Sequence, residues 1–444
     1  MPLGVPMEKK SITLYTATTI VIANMIGTGV FTSLGFQVAG IHSGFALMTL
    51  WLLGGIAALL GALCYGELGA TLPRSGGEYS YLSRIYHPAI GFLSGWVSAT
   101  VGFAAPIAAA SIAFSEYLMR GGTFSPWMIG GHDITAMVLA CSLVIGVSFI
   151  HFLKVSIGSK FQNIFTSFSV ITILFIVVAG FIHGRSGDCS FRPSPEAFHA
   201  ILSPSFAISF FFVSFAYSGW NAAAYIAGEL QNAQRSLPKA LLRGTAFVTA
   251  LYLLLNFVFL YTAPLGELEG KKEIGFIAAT HIFGVFGGKL MAIVIAIKLI
   301  STISSMTIAG PRIISVMGED LPFFKPIARK NKHGVPAIAI SIQTIIALVF
   351  VITATFDQVI TFIGFTLNIF TLLTVLGLFI LRIKEPNLPR PFKTPFYPFT
   401  PIVFLGISLW LLYFGVADKP MISLAALGIV LSGLIFYFIG KKKI

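Results

Sequence analysis

Charged residues are scarce in this chain of 444 residues. Only 10% are Asp, Glu, Lys or Arg, against about 25% in ordinary soluble domains, whereas 56% are hydrophobic and the mean hydropathy is +0.90. Water does not keep such a surface in solution, so a soluble globular protein is excluded. Apolar runs of the roughly 20 residues that cross hydrocarbon recur along the whole chain. They predict an all-α integral membrane protein.

Cysteines and enzyme motifs are also scarce. The three cysteines, Cys64, Cys141 and Cys189, lie far apart and lack the spacing of a disulfide framework or a metal site. The sequence has no HExxH, GxSxG or P-loop motif and no paired carboxylates on adjoining turns. An enzyme is therefore disfavoured, and we expect neither a cofactor nor a metal. A channel or a sensor stays open as another class, although no segment resembles a selectivity filter.

Apolar runs separated by charged, Pro-rich or Gly-rich segments predict about twelve membrane-spanning helices. A short interfacial helix is expected at 274–283, and Phe286, Gly287 and Gly288 are expected to form the turn into the eighth span. The predicted spans are 13–36, 44–70, 88–118, 133–151, 157–183, 201–228, 239–262, 287–316, 336–355, 358–381, 399–416 and 421–440.

Positive charge is unevenly distributed between alternate loops. Most of the 29 Lys and Arg residues fall in the N-terminal segment, in the loops after even-numbered spans and in the C-terminal tail. Cytoplasmic loops accumulate these residues, so both termini are predicted to lie in the cytoplasm and the spans in the inner (cytoplasmic) membrane. The net charge of +13 then reflects contact with anionic membrane lipid, and no nucleic-acid partner is expected.

Two predicted spans carry glycine-rich interruptions near their centres. Gly27, Thr28 and Gly29 interrupt span one, and Ser218 and Gly219 interrupt span six. Broken backbone inside hydrocarbon is costly unless it lines a cavity or binds a ligand. Breaks five helices apart fit an inverted repeat of five plus five helices, and paired breaks point to a transporter's binding site. The alternative is that these small residues only let helices pack closely.

An unwound segment suits a zwitterion such as an amino acid. The freed amides of Gly27, Thr28 and Gly29 lie at the positive end of the second half-helix, where a carboxylate is stabilised. Freed backbone carbonyls can accept hydrogen bonds from an ammonium group, so neither pole of the ligand needs a charged side chain. The carbonyls in question are those of Met25, Phe215, Ala216 and Ser218.

Five segments resemble the amino acid–polyamine–organocation superfamily, and specifically its L-type amino acid transporter branch. They are GTGVF at 27–31, GALCYGELG at 61–69, SGGEY at 75–79, FAYSGWN at 215–221 and NAQRSLP at 232–238, in matching order and spacing. The resemblance implies a leucine-transporter-type fold. Its parts would be an N-terminal cytoplasmic segment 1–12, inverted repeats 13–183 and 201–381, two further helices in 399–440 and a tail 441–444.

The function implied by the resemblance is secondary transport of L-amino acids by alternating access, through exchange or proton coupling, with sodium symport as the alternative. Neutral substrates of small to medium size are expected, because Ser218 and Met25 narrow the pocket and no acidic side chain is evident there. Phe215 and Trp220 are the gate candidates. By similarity, the substrate contacts are Met25, Ile26, Gly27, Thr28, Gly29, Phe215, Ala216, Ser218 and Asn221.

Two departures from the family bear on partners and coupling. Residues 119–133 lack the cysteine that joins animal members to a glycoprotein, so we expect no disulfide-linked heavy chain and a monomer. Ser169 stands where many sodium-independent relatives have a lysine in span five. Lys298 in span eight either replaces that ammonium group or extends toward the headgroups as a structural residue. Alternatively, Ser169, Ser304 and Ser305 bind sodium.

Other polar residues in or near the spans are expected to be structural. Glu67 and Glu116 are placed near span ends, where water reaches them. Pro106 is expected to kink span three. The eight histidines fall mostly at span ends or in loops, so no histidine proton relay is predicted.

Overall fold

A computed structural model of the chain describes residues 12–129, 132–153, 155–184, 187–353 and 356–441. The predicted terminal segments 1–12 and 441–444 therefore lie outside the described residues, except for residues 12 and 441. The described chain is helical apart from two antiparallel two-residue strands, Met128–Ile129 and His132–Asp133. The predicted all-α membrane fold is confirmed.

Among the described residues, ten helices are long and apolar enough to cross a membrane. Pro195–Ile201 and Pro204–Glu229 pass the same test only as a pair bent by 64°, and we take the longer part, Pro204–Glu229, as an eleventh span. We take the shorter apolar helix Ala337–Thr353 as the twelfth. Spans one to twelve are Leu14–Val38, Gly44–Thr71, Pro88–Arg120, Ile134–Leu153, Val155–His183, Pro204–Glu229, Ala233–Thr262, Ile274–Asp320, Ala337–Thr353, Phe356–Lys384, Phe399–Asp418 and Pro420–Lys441. Short helices at Glu78–Ile85, Leu265–Leu268 and Pro322–Phe324 join them.

Spans one and six are both interrupted, as predicted. Span one consists of the half-helices Leu14–Met25 and Gly29–Val38. In span six, the α-helix Pro204–Tyr217 gives way after a four-residue break to the 3-10 helix Ala222–Glu229. Each interrupted helix opens one of the two predicted repeats.

Several predicted boundaries are wrong. Span six begins at Pro204 and not at 201, because the Ser203 hydroxyl accepts a hydrogen bond from the Phe206 amide and caps a new helix. The turn predicted at 286–288 is found instead as a kink at Gly284, inside Ile274–Asp320. Gly284 has a φ of 75°, which glycine adopts without steric cost. Span seven begins at Ala233, six residues before the predicted start.

Span three contains an irregular turn next to Pro106. The segment Ser98–Gly102 forms a π-helix, and the regular helix resumes at Ala104–Arg120. Pro106 has no amide hydrogen to give to the carbonyl of Gly102, and its ring crowds that carbonyl. The predicted irregularity in span three therefore lies in the turn before the proline.

Glu67 is not reached by water, contrary to expectation. Its side chain is 1% exposed and lies between spans two and ten. Arg382 donates to its two oxygens at 2.8 and 2.6 Å, and the Thr394 amide donates at 2.6 Å. A buried carboxylate with this many donors stays charged inside a protein. By contrast, Glu116 keeps 29% of its side chain exposed, with Lys272 at 3.7 Å.

Candidate functional site

The break in span one is capped by side chains of span eight. The Thr302 hydroxyl donates to the Ile26 carbonyl at 2.9 Å, and the Lys298 Nζ donates to the Gly27 carbonyl at 2.9 Å. No side chain caps the start of the half-helix Gly29–Val38, whose N-cap residue is Thr28. The Gly27 amide, expected to be free, donates to the Met25 carbonyl at 2.6 Å, and the Phe31 amide donates to the Thr28 carbonyl at 2.9 Å. The uncapped helix end between these two amides is the kind of place where a carboxylate is stabilised.

Tyr252 of span seven joins the two breaks. Its hydroxyl donates to the Met25 carbonyl at the end of the first half-helix, and lies 3.1 Å from the Ala216 carbonyl in span six. The Phe215 carbonyl accepts from the Ser218 amide at 2.9 Å. Three of the four carbonyls expected to receive an ammonium group thus already have a partner, so the expectation that they are free is wrong for Met25, Ala216 and Phe215.

The two breaks also touch directly through glycines. A Cβ atom on Gly29 would lie 2.5 Å from the Ala216 Cα, and one on Gly219 would lie 2.9 Å from backbone atoms of Asn24. Close helix packing therefore explains these two glycines. Gly27 differs, because a Cβ there would make only ordinary contacts, with the Thr302 Cγ2 at 3.6 Å and the Met25 carbonyl oxygen at 3.8 Å.

A cavity lies beside the break in span six. Phe215, Ser218, Trp220 and Asn221 line it, whereas span one contributes only Asn24. The other predicted contacts are not in its lining; these are Met25, Ile26, Gly27, Thr28, Gly29 and Ala216. The structure therefore separates the predicted residues into a cavity wall and a neighbouring backbone break.

Several polar lining residues were missed by the sequence reasoning. They are Glu78 from the loop helix after span two, Ser214 from span six, and Asn368 and Thr371 from span ten. Asn368 and Thr371 are three residues apart and so share one helix face, which is the signal that could have found them. Glu78 gave no such signal.

The two gate candidates differ in their surroundings. Phe215 is buried and lines the cavity. The Trp220 ring packs edge-on against Tyr65, with centroids 4.7 Å apart, and against Phe404 at 6.1 Å. Asn221 extends away from the break and donates to the Glu78 Oε1 at 2.6 Å, which links the broken helix to its neighbour.

Lys298 faces the helix bundle, so its interpretation as a residue extending to the headgroups is wrong. Its side chain is 0% exposed, and its ammonium group lies 4.3 Å from the centroid of the Phe31 ring. Within the described part of the chain no carboxylate forms an ion pair with it. A carbonyl dipole and an aromatic face thus replace a counter-ion.

The three serines proposed for ion coupling make separate hydrogen bonds. Ser169 donates to the Phe165 carbonyl at 2.8 Å and lies 3.3 Å from the Lys298 carbonyl. Ser305 donates to the Thr302 carbonyl, and Ser304 bonds to the His151 Nε2 at 2.9 Å. No hydrogen bond among the described residues joins these three hydroxyls to one another.

His151 lies at a span end, as predicted, but its side chain is buried inside the bundle. It is 6% exposed and reaches the middle of span eight through Ser304. The described ranges hold no group of three or more His, Cys, Asp or Glu side chains that could bind one metal ion.

Broken helices beside a buried cavity, in a bundle of apolar spans, define a membrane carrier. The family model described as amino acid permease matches residues 12–438. The chain therefore belongs to the amino acid permease family, and it is an amino acid transporter. The predicted superfamily, fold class and non-enzymatic nature are confirmed.

Curated relatives match over nearly the full chain. The serine/threonine exchanger SteT of Bacillus subtilis (strain 168) is 31% identical over 441 residues, which cover 98% of each protein. The b(0,+)-type amino acid transporter 1 of Mus musculus is 28% identical, covering 97% of this chain and 88% of the relative. The large neutral amino acids transporter small subunit 2 of Mus musculus is 27% identical, covering 97% and 81%.

The glycine contacts predict different outcomes at neighbouring positions. Gly29→Ala pushes span one away from the Ala216 backbone and should destabilise the fold by about 1–3 kcal/mol, with loss of uptake. Gly27→Ala makes only ordinary contacts and should keep both the fold and measurable uptake. Monodisperse yield in detergent and amino acid uptake in proteoliposomes measure both effects. Wild-type behaviour of Gly29→Ala would contradict the close packing.

Proposed function

We propose that this transporter is a secondary carrier that exchanges L-amino acids by alternating access. Its substrates are neutral and small to medium in size. In this proposal it lies in the inner (cytoplasmic) membrane with both termini in the cytoplasm. Segments 13–183 and 201–381 act as inverted repeats that move around the two breaks, and the helices in 399–440 are additional.

The main support for this proposal is the uncapped N-terminal end of the second half-helix of span one. The amides at the start of Gly29–Val38 have no side-chain partner, and a carboxylate is the group that such a helix end stabilises. The cavity at the break in span six holds the rest of the substrate. Its neutral polar groups, Ser214, Ser218, Asn368 and Thr371, suit small polar or apolar side chains.

Exchange of neutral amino acids is also supported by the relatives. One is named a serine/threonine exchanger and another a large neutral amino acids transporter. The absence of a cysteine in residues 119–133 supports a chain without a disulfide-linked partner, and we propose a monomer surrounded by lipid. The many large apolar side chains exposed on the outer faces of the spans suit contact with lipid tails.

For coupling, we propose that the Lys298 ammonium group serves where a coupling cation would otherwise bind. It holds the Gly27 carbonyl, so it fixes the end of the unwound segment that must move during transport. This favours exchange or proton coupling over sodium symport. Sodium symport stays the alternative, with Ser169, Ser304 and Ser305 as its oxygen donors.

Substitution of Lys298 separates the two modes of coupling. Wild-type uptake should be the same in sodium and in choline, and Lys298→Met should lower it at least tenfold because the Gly27 carbonyl loses its donor. Uptake by proteoliposomes, measured in both salts and against external pH, tests this. Lys289→Met is the matched control, since Lys289 is exposed on the same helix. Sodium-dependent uptake that survives in Lys298→Met would favour the serines.

Removal of the Phe215 ring tests the gate. Phe215→Ala should slow uptake about fivefold or more with little change in expression, because the ring closes one wall of the cavity. Phe212→Ala is the control: Phe212 lies on the same helix but stacks on Phe36, with centroids 5.1 Å apart. Equal uptake rates in the two variants would show that Phe215 only packs.

A further inference from the structure

One wall of the cavity carries a buried carboxylate. Glu78 is the first residue of the short helix Glu78–Ile85, its side chain is 3% exposed, and it lines the cavity beside Asn221 and Tyr225. No acidic side chain was expected near the site from the sequence, and this expectation is wrong.

The hydrogen bonds of Glu78 are all on one oxygen. The Tyr65 hydroxyl donates to Oε1 at 2.8 Å, and the Asn221 Nδ2 donates to the same atom at 2.6 Å. The Oε2 atom is buried and accepts no hydrogen bond. The Tyr225 hydroxyl lies nearby and accepts from Asn221 at 3.3 Å. All the neighbouring polar groups are therefore neutral.

The buried Glu67 and the partly exposed Glu229 both have cationic partners. Glu67 is paired with Arg382, and Glu229 is paired with Arg312 through two bonds of 2.6 and 3.0 Å. Glu78 forms no ion pair among the described residues. Burying a carboxylate without a cation costs several kcal/mol in protein interiors. A cationic group on a ligand in the cavity would supply the counter-ion that Glu78 lacks.

The remaining lining of the cavity reinforces this preference. Its other polar side chains are amides and hydroxyls, and its lining contains no Lys, Arg or His. A single negative charge in a low-dielectric cleft raises the local concentration of cations and repels anions. The Oε2 atom, which has no hydrogen-bond partner, can accept from an ammonium group, and a guanidinium can bond to both oxygens.

We propose that Glu78 is a cation subsite for the side-chain ammonium or guanidinium group of a basic L-amino acid. The inference rests on the proposed function, because the α-carboxylate of the same substrate occupies the span-one amides. It extends the substrates from neutral amino acids to lysine-like and arginine-like ones. A neutral substrate leaves Oε2 to water, whereas an acidic one is rejected.

The test compares four substrates in proteoliposomes. Half-saturation concentrations are measured for L-arginine, L-lysine, L-serine and L-leucine with the wild type, Glu78→Gln and Glu78→Asp. The amide variant should raise the values for arginine and lysine at least tenfold and leave those for serine and leucine within twofold. Its oxygen still accepts from Tyr65 and Asn221, so the fold is kept. Glu78→Asp keeps the charge and should retain arginine uptake.

A second variant separates charge from hydrogen bonding. Tyr65→Phe removes one neutral donor from Oε1 without changing the charge, so the ratio of arginine to serine affinity should stay within twofold of the wild-type ratio. A change in that ratio as large as in Glu78→Gln would overturn the charge argument.

Different outcomes would overturn the cation subsite and the proposed function. Equal losses for all four substrates in Glu78→Gln would show that Glu78 only positions Asn221, and the subsite would be wrong. Wild-type uptake of serine and leucine without arginine or lysine would also overturn the subsite and leave the proposed function standing. Uptake of none of the four would overturn the proposed function itself.

Discussion

Every backbone amide and carbonyl inside the bundle needs a hydrogen-bond partner, and the two broken helices leave several without one. The architecture depends on how these groups are satisfied. Thr302 and Lys298 of span eight serve the carbonyls of Ile26 and Gly27, and Tyr252 of span seven serves Met25 beside Ala216. Spans seven and eight thus hold the breaks at a fixed distance. Among the described residues, no side chain caps the start of Gly29–Val38.

The buried charged side chains of the bundle also differ in their partners. Glu67 has an arginine at hydrogen-bonding distance, so its charge stabilises the contact between spans two and ten. Lys298 has a carbonyl and an aromatic ring, which are weaker partners and easier to exchange. Glu78 has only neutral donors on one oxygen. Lys298 and Glu78, which have no ionic partner among the described residues, lie at the span-one break and at the cavity, whereas the paired Glu67 lies between spans two and ten.

The sequence predicted the spans and both breaks because these depend on local properties. Hydropathy shows which apolar runs are long enough to cross the hydrocarbon, and glycine placement shows where a helix can end. Start points such as Ser203 and Gly284 were missed, since a cap or a positive φ shifts a boundary without changing hydropathy.

Contacts between distant spans could not be read from one chain. Glu67 meets Arg382 across 315 positions, and His151 meets Ser304 across 153. Hydropathy gives the depth of a residue but not the direction in which its side chain points. The sequence therefore allowed two interpretations of Lys298 and suggested no role for Glu78. Glycine also cannot be assigned a role from sequence alone, because close helix packing and helix unwinding both require it.

The Tyr252 hydroxyl holds both breaks together. Tyr252→Phe keeps the ring between Trp51 and Tyr217 and removes only the hydroxyl, which contacts the carbonyls of Met25 and Ala216. Counterflow of labelled amino acid into preloaded proteoliposomes, with Tyr261→Phe as the control on the same helix, measures the effect. We expect counterflow to fall at least tenfold while the variant stays monodisperse in detergent. Counterflow at the wild-type rate would contradict the claim that these breaks form the transport site.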